Sequence, residues 1–165
     1  MTDDALGAPD PDFATTRYAL AAVVYAERDG QILLLKRAGG ALEGQWFLPG
    51  GAVDEGELPE VAARRELLEE SGLRIEGDLE LVGAYPIWVY GGDCLQLSYR
   101  GRVAGGDVAL SHEHDDQLWV DPVDMGALLT DEVIESIAKG NERVTQLVER
   151  VRDDLRLYLR RIGRD

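Results

Sequence analysis

The residues best placed to do chemistry lie between Gly51 and Leu73, in GAVDEGELPEVAARRELLEESGL. Glu57, Glu66, Glu69, Glu70 and Arg65 are spaced so that one helix gathers most of them. At 100° per residue, Arg65, Glu66, Glu69 and Glu70 fall on an arc of roughly 140°. Leu67, Leu68, Ser71 and Val61 take the other side, which is expected to face the core. Like charges one turn apart each cost a few tenths of a kcal/mol in an isolated helix. Collecting them makes physical sense if a cation sits among them. Oxygen ligands select hard cations, Mg²⁺ or Mn²⁺. Magnesium usually takes one or two carboxylates plus substrate phosphates, so three or four carboxylates imply more than one ion, or an ion and a base. A solvated acidic helix face would show the same charges. The glycines at both ends and the arginine among the acids favour a site.

The elements that position this helix can be read on either side of it. Tyr18 to Tyr25 is an apolar, β-branched run that predicts a buried strand. Asp29-Gly30 is a hairpin signal, and Gln31 to Lys36 follows as the partner strand, its Ile32-Leu33-Leu34-Leu35 suited to burial on both faces. A glycine-containing loop leads to a short strand at Phe47-Leu48. The helix is expected over about residues 58–71, with Pro59 in its first turn and Gly72 as its C-terminal cap. Strands are expected near 79–85, 87–90, 95–103 and 118–120, with a polar acidic loop over 111–117. Short helices fit 123–129 and 131–138. From Asn141 to Ile162, Val144, Val148, Val151, Leu155, Tyr158 and Ile162 step by three and four, as in an amphipathic helix of about six turns. This order predicts mixed α/β layers around one sheet.

The chain has 165 residues, 45% of them apolar, and suits one domain with its own core. Residues 1–15 read as a flexible tail, 16–140 as the domain and 141–165 as a C-terminal helix. That helix must cover its apolar stripe with the domain itself or with a second copy, the latter making a homodimer. The formal charge of -15 opposes binding to nucleic acid or anionic lipid, yet metal ions and a few arginines can reverse the field inside one cleft. No run is long and apolar enough to span a bilayer, and the acidic N-terminus lacks a signal-peptide pattern. With Cys94 as its single cysteine, a cytoplasmic setting is expected.

The 51–73 stretch resembles the signature of the Nudix hydrolases: Gly51, Glu57, Arg65-Glu66-Leu67, Glu69-Glu70 and Gly72-Leu73 match every fixed position. Gln45-Trp46-Phe47-Leu48-Pro49-Gly50 resembles the usual lead-in, and the likeness runs over about residues 17–130. Leu58 departs from it, since many members cap the helix there with Ser or Thr. The resemblance implies an α/β/α sandwich with a mixed β-sheet, here extended by the long C-terminal helix. It implies metal-dependent hydrolysis of a pyrophosphate bond in a nucleoside diphosphate derivative, with a nucleotide-type small molecule as partner.

By the same resemblance, Glu66, Glu69, Glu70 and the Gly50 carbonyl would hold Mg²⁺ or Mn²⁺, with Glu57 and Arg65 as outer partners. Glu113, in Ser-His-Glu-His-Asp-Asp, would be a further ligand or the base, with Asp115 and Asp116 as alternates and the helix glutamates as another option. Catalytic roles would fall to Glu66, Glu69, Glu113 and Arg65. Arg37 would meet a phosphate, and Trp46, Tyr85 and Tyr90 a base, with Trp88 a further aromatic that could stack. His112 and His114 flank Glu113 on what reads as an exposed loop. A nucleoside triphosphate, oxidised ones included, is the expected substrate. ADP-ribose, a nucleotide sugar or a dinucleoside polyphosphate are alternatives, and a non-catalytic nucleotide-binding domain is an alternative of another class.

Overall fold

The computed structural model describes residues 18–40, 42–89 and 91–164. The N-terminal tail and Tyr90 lie outside the described residues. Seven strands form one sheet: β1 (Ala19–Arg28), β2 (Gln31–Arg37), β3 (Trp46–Phe47), β4 (Gly50–Ala52), β5 (Ile75–Val89), β6 (Gly92–Val103) and β7 (His114–Val120). Among the described residues, four helices accompany them: α1 (Pro59–Ser71), α2 (Pro122–Met125), α3 (Asp131–Ala138) and α4 (Glu142–Arg161), with a 3-10 turn at Gly126–Leu129. The main path runs β3-β2-β1-β6-β5, with β4 joined to β1 and β7 to β2. β1 and β6 are parallel and the other pairs antiparallel, so the sheet is mixed.

Alternation along the central strands sorts side chains into two cores. Ala22, Val24 and Ala26 of β1 and Leu33 and Leu35 of β2 face α1, where they meet Ala62, Ala63 and Leu67. Tyr25 of β1 and Ile32 and Leu34 of β2 face the opposite layer, where they meet Met125, Leu155 and Tyr158. The run of apolar residues in β2 is thus buried on both faces, and helices cover both sides of the sheet.

β1 changes partners along its length. Near the hairpin Glu27 and Arg28 pair with Ile32 and Gln31, whereas Ala21, Ala22 and Val23 pair with Ala52, Gly51 and Gly50 of β4. This fork brings the start of the acidic motif onto the sheet. Gly50 is required there: a Cβ would stand 2.3 Å from the Ala22 carbonyl oxygen.

Three expectations change. The segments near 79–85 and 87–90 are one strand, β5, running through Pro86; β5 ends the strand order, and an edge strand tolerates a residue with no N–H to donate. The acidic stretch 114–117 is strand rather than loop, because β7 pairs with β2 through His114, Asp116 and Gln117. On α1 the core side is Ala62, Ala63, Leu67, Glu70 and Ser71, while Val61 is 47% exposed. The helix is rotated so that the end of its acidic arc, not Val61, enters the protein.

The apolar stripe of α4 is covered within the chain. Leu147, Val148, Leu155 and Tyr158 are buried against the sheet, with Asp154 buried among them. Tyr158 stacks on Tyr25 with centroids 4.1 Å apart, an arrangement worth about 0.5–1.5 kcal/mol beyond burial. Asp154 accepts hydrogen bonds from Tyr25 Oη at 2.9 Å and Ser98 Oγ at 2.5 Å. No described helix is long and apolar enough to cross a membrane.

Candidate active site

The start of α1 has no side-chain cap, since Leu58 at that position cannot supply one. A neighbouring ion pair ties the helix to its preceding loop instead. Arg65 grips Glu57 with two bonds, Nε to Oε1 at 3.0 Å and Nη2 to Oε2 at 2.9 Å. It also donates to the Ala52 carbonyl at 2.9 Å, to Glu66 at 2.7 Å and to Glu69 at 3.3 Å. Such a fork orients carboxylates as a flexible lysine could not. Its hydrogen bond holds the Glu57 carboxyl below the ordinary range, helped by the Asp54 N–H.

The three helix carboxylates sit at graded depths. The Glu69 side chain is 59% exposed, Glu66 is half-buried, and Glu70 is only 7% exposed. Gly51 touches this gradient: a Cβ there would lie 2.6 Å from the Glu66 carboxyl group. Glu70 faces β4, where its Oε2 accepts the Gly50 N–H at 2.9 Å. Burial pushes the Glu70 carboxyl up to about 8; the Gly50 hydrogen bond opposes this, and the charges of Glu66 and Glu113 add to it. Burial likewise raises Glu66, against its bond to Arg65, with Glu69 and Glu113 adding.

The segment carrying Glu113 is pinned beside the end of α1. Ser111 N–H donates to the Glu70 carbonyl at 3.1 Å, and Ala38 N–H to the Glu113 carbonyl at 2.8 Å. Among the described residues, no three His, Cys, Asp or Glu side chains stand together closely enough to hold an ion as they are placed. Glu66 and Glu69 are turned to Arg65, and Glu70 to Gly50. The donor chemistry nevertheless fits a hard divalent cation: oxygen ligands only, with the Glu113 charge adding to the cost of ionising both Glu66 and Glu70.

Beyond Glu70 the fork in the sheet opens into a cleft of about 420 Å³. Its polar rim is Arg37, Gln45, Glu70 and His114; its walls are apolar and come from β1, β5, β6, the 3-10 turn and α4. Arg37, Trp46 and Tyr85 all line it, as does Gly50. Arg37 is half-buried and makes no side-chain hydrogen bond or ion pair among the described residues. Tyr85 Oη accepts from Gln96 Nε2 at 2.7 Å. Trp88 instead stands outside, 37% exposed, under the guanidinium of Arg143. Glu57, Glu66, Glu69 and Glu113 do not line the cleft but flank its acidic end.

Sequence reasoning missed Gln96 and Asp154 in the lining and placed His114 on an exposed loop. His114 is buried, its Nε2 3.7 Å from Glu70 Oε1. Burial, then the Arg37 charge, holds its imidazole below the ordinary range, against the charges of Glu113 and Asp115. The alternation Cys94-Gln96-Ser98 does carry a signal for Gln96, on the face of β6 that meets α4.

Fold, motif and cleft define a hydrolase of phosphoric anhydrides, and the comparison with known proteins agrees. The chain belongs to the NUDIX domain family, whose profile matches residues 15–141. A MutT-like protein of Streptomyces ambofaciens is 36% identical over 121 residues, covering 73% of this chain and 69% of that protein. The nucleoside triphosphatase NudI of Escherichia coli O81 (strain ED1a) is 34% identical over 116 residues, covering 60% of this chain and 79% of that one. Among solved structures, a MutT NUDIX hydrolase from Burkholderia pseudomallei aligns with a TM-score of 0.61 at 26% identity, over 76% of this chain and 100% of that chain. The protein is a Nudix pyrophosphohydrolase acting on nucleotide derivatives.

Proposed function

We propose that the protein hydrolyses a nucleoside triphosphate, oxidised forms included, to a nucleotide and a phosphate product. The observation that carries this reading is the junction at Glu70: the acidic end of α1 and an apolar cleft of about 420 Å³ meet there. A triphosphate with a base has the matching halves, one anionic and one flat and apolar. The cleft volume lies within the range of ordinary small-molecule sites.

In this reading Glu66, Glu69, Glu70 and Glu113, with the Gly50 carbonyl, hold Mg²⁺ or Mn²⁺. When bound, such an ion neutralises phosphate oxygens and lowers the pKa of a coordinated water. Arg65 and Glu57 keep the helix carboxylates oriented. Arg37, whose side chain makes no hydrogen bond or ion pair among the described residues, binds a phosphate oxygen. Trp46 and Tyr85 border the base, and the Gln96 amide, with one N–H given to Tyr85, keeps an N–H and its carbonyl for the base edge. Water forms a bond to one phosphorus as the bridging oxygen leaves with its electron pair, and a carboxylate, Glu113 or a helix glutamate, accepts the water proton.

The experiment is hydrolysis by purified protein with Mg²⁺ and then Mn²⁺. Substrates are nucleoside triphosphates including 8-oxo-dGTP, diadenosine polyphosphates, ADP-ribose and UDP-sugars, with Glu70→Gln in parallel. Preferential turnover of triphosphates, lost in Glu70→Gln, is the expected result. Preferential turnover of another class overturns the substrate assignment.

A further inference from the structure

His114 is the buried polar side chain that the motif leaves unexplained. Its side chain is 3% exposed and lines the cleft. Its Nδ1 is buried and has no hydrogen-bond partner among the described residues. Buried polar groups are rarely left in that state without a functional reason. The nearest group of opposite character is Glu70, whose Oε1 lies 3.7 Å from Nε2. The other oxygen of that carboxylate, Oε2, is already held by the Gly50 N–H.

The backbone is built to aim this ring. β2 and β7 lose register between Lys36 and Arg37: Lys36 pairs with Asp116, and Arg37 pairs with His114 rather than Asp115. Asp115 is the extra residue of a bulge and is turned outward, 3.8 Å from Lys36 Nζ. Bulges re-aim side chains next to functional sites. Here the bulge puts an imidazole, instead of another carboxylate, opposite Arg37 and beside Glu70. An aspartate in that place would add a fourth carboxyl group to Glu66, Glu70 and Glu113.

We propose that His114 is a positioning residue for Glu70, holding Oε1 from the Nε2 side while Gly50 holds Oε2, so that the carboxylate keeps one orientation at the wall of the cleft. With a proton on Nε2, the ring presents an N–H toward the Glu70 Oε1 atom 3.7 Å away. The inference rests on the reading that Glu70 holds a divalent cation. Partners of this kind are worth about 10–100-fold in metal affinity or activity.

The test compares wild type, His114→Gln and His114→Leu. Glutamine can place an N–H near Nε2, whereas leucine has the bulk without the donor. Mn²⁺ affinity is read by electron paramagnetic resonance without substrate, and kcat and KM with a nucleoside triphosphate; circular dichroism and melting temperature verify folding. The expected result is a Mn²⁺ affinity and a kcat that fall about tenfold or more in His114→Leu, recover in His114→Gln to within a few-fold of wild type, and leave KM in place. Equal Mn²⁺ affinity in all three folded proteins overturns the proposal. So does a rise in KM with Mn²⁺ affinity intact, which would put the ring on substrate. Wild type that binds Mn²⁺ but turns over no triphosphate overturns the substrate reading and leaves this one standing.

Discussion

The Glu70 carboxylate accepts the Gly50 backbone N–H at 2.9 Å, joining the inner end of the acidic helix to the strand that opens the motif. A buried carboxylate with one neutral hydrogen bond, facing Glu66 and Glu113 and only partly offset by the Arg37 charge, is held at an electrostatic cost.

Glu70→Gln should therefore separate function from stability. Turnover is expected to fall about a hundredfold or more, as for loss of a group at the reacting centre. The metal-free variant should melt no lower than wild type at neutral pH, because a neutral amide avoids the burial penalty. Calorimetric melting beside a turnover assay checks both, and a large drop in melting temperature would contradict the account.

Arg65 joins Glu57, Glu66, Glu69 and the Ala52 carbonyl, so its removal should act at two levels. Arg65→Ala is expected to cost about 1–2 kcal/mol in urea unfolding and at least tenfold in kcat. Arg65→Lys keeps the charge but not the fork, and should recover stability more than turnover. Wild-type turnover by either variant would refute this role.

Gly51→Ala should leave the chain folded, since Gly51 has no left-handed backbone to maintain. Its methyl must displace the Glu66 carboxyl group, 2.6 Å away, so kcat should fall while KM changes little. Unaltered steady-state kinetics would show that Glu66 can move without consequence.

Arg37→Gln should raise KM about tenfold with Mn²⁺ affinity intact, because a guanidinium facing the cleft gives up only its phosphate contact. Since the Arg37 side chain makes no hydrogen bond or ion pair among the described residues, the melting temperature should change little.

Asp154 should shape the pH dependence of stability. Burial raises its carboxyl above the ordinary 3.8, against the hydrogen bonds from Ser98, Tyr25 and Tyr85. The native state then binds the proton more tightly than the unfolded chain, so this contribution is fully present below 3.8 and is lost as pH rises through the folded value. The stability difference between wild type and Asp154→Asn, from urea titrations, should turn against wild type across that window. A difference independent of pH would rule this out.

The signature was legible because its residues must keep fixed spacing on one helix, and both core strands announced themselves by apolar runs. What escaped the sequence depended on partners distant in the chain. Val61 looked like a core residue until the sheet set the rotation of α1 and put Glu70 inward. β7 was hidden because four of its seven residues are exposed in a strand paired on β2, so charge filled positions that usually signal a loop. Asp154 reads as one more surface acid on α4 until Tyr25 and Ser98, from two strands, are found around it.

The cleft draws its two ends from segments far apart in sequence. Every carboxylate proposed to hold metal lies at or before residue 113, whereas α4, which walls the apolar half and is locked by Asp154 and Tyr158, begins only at Glu142. A nascent chain stopped before residue 142 would carry the whole acidic apparatus beside an uncovered sheet face. Docking of α4 thus completes the apolar half of the cleft, and loss of that helix should remove the wall offered to a base while leaving the acidic end in place.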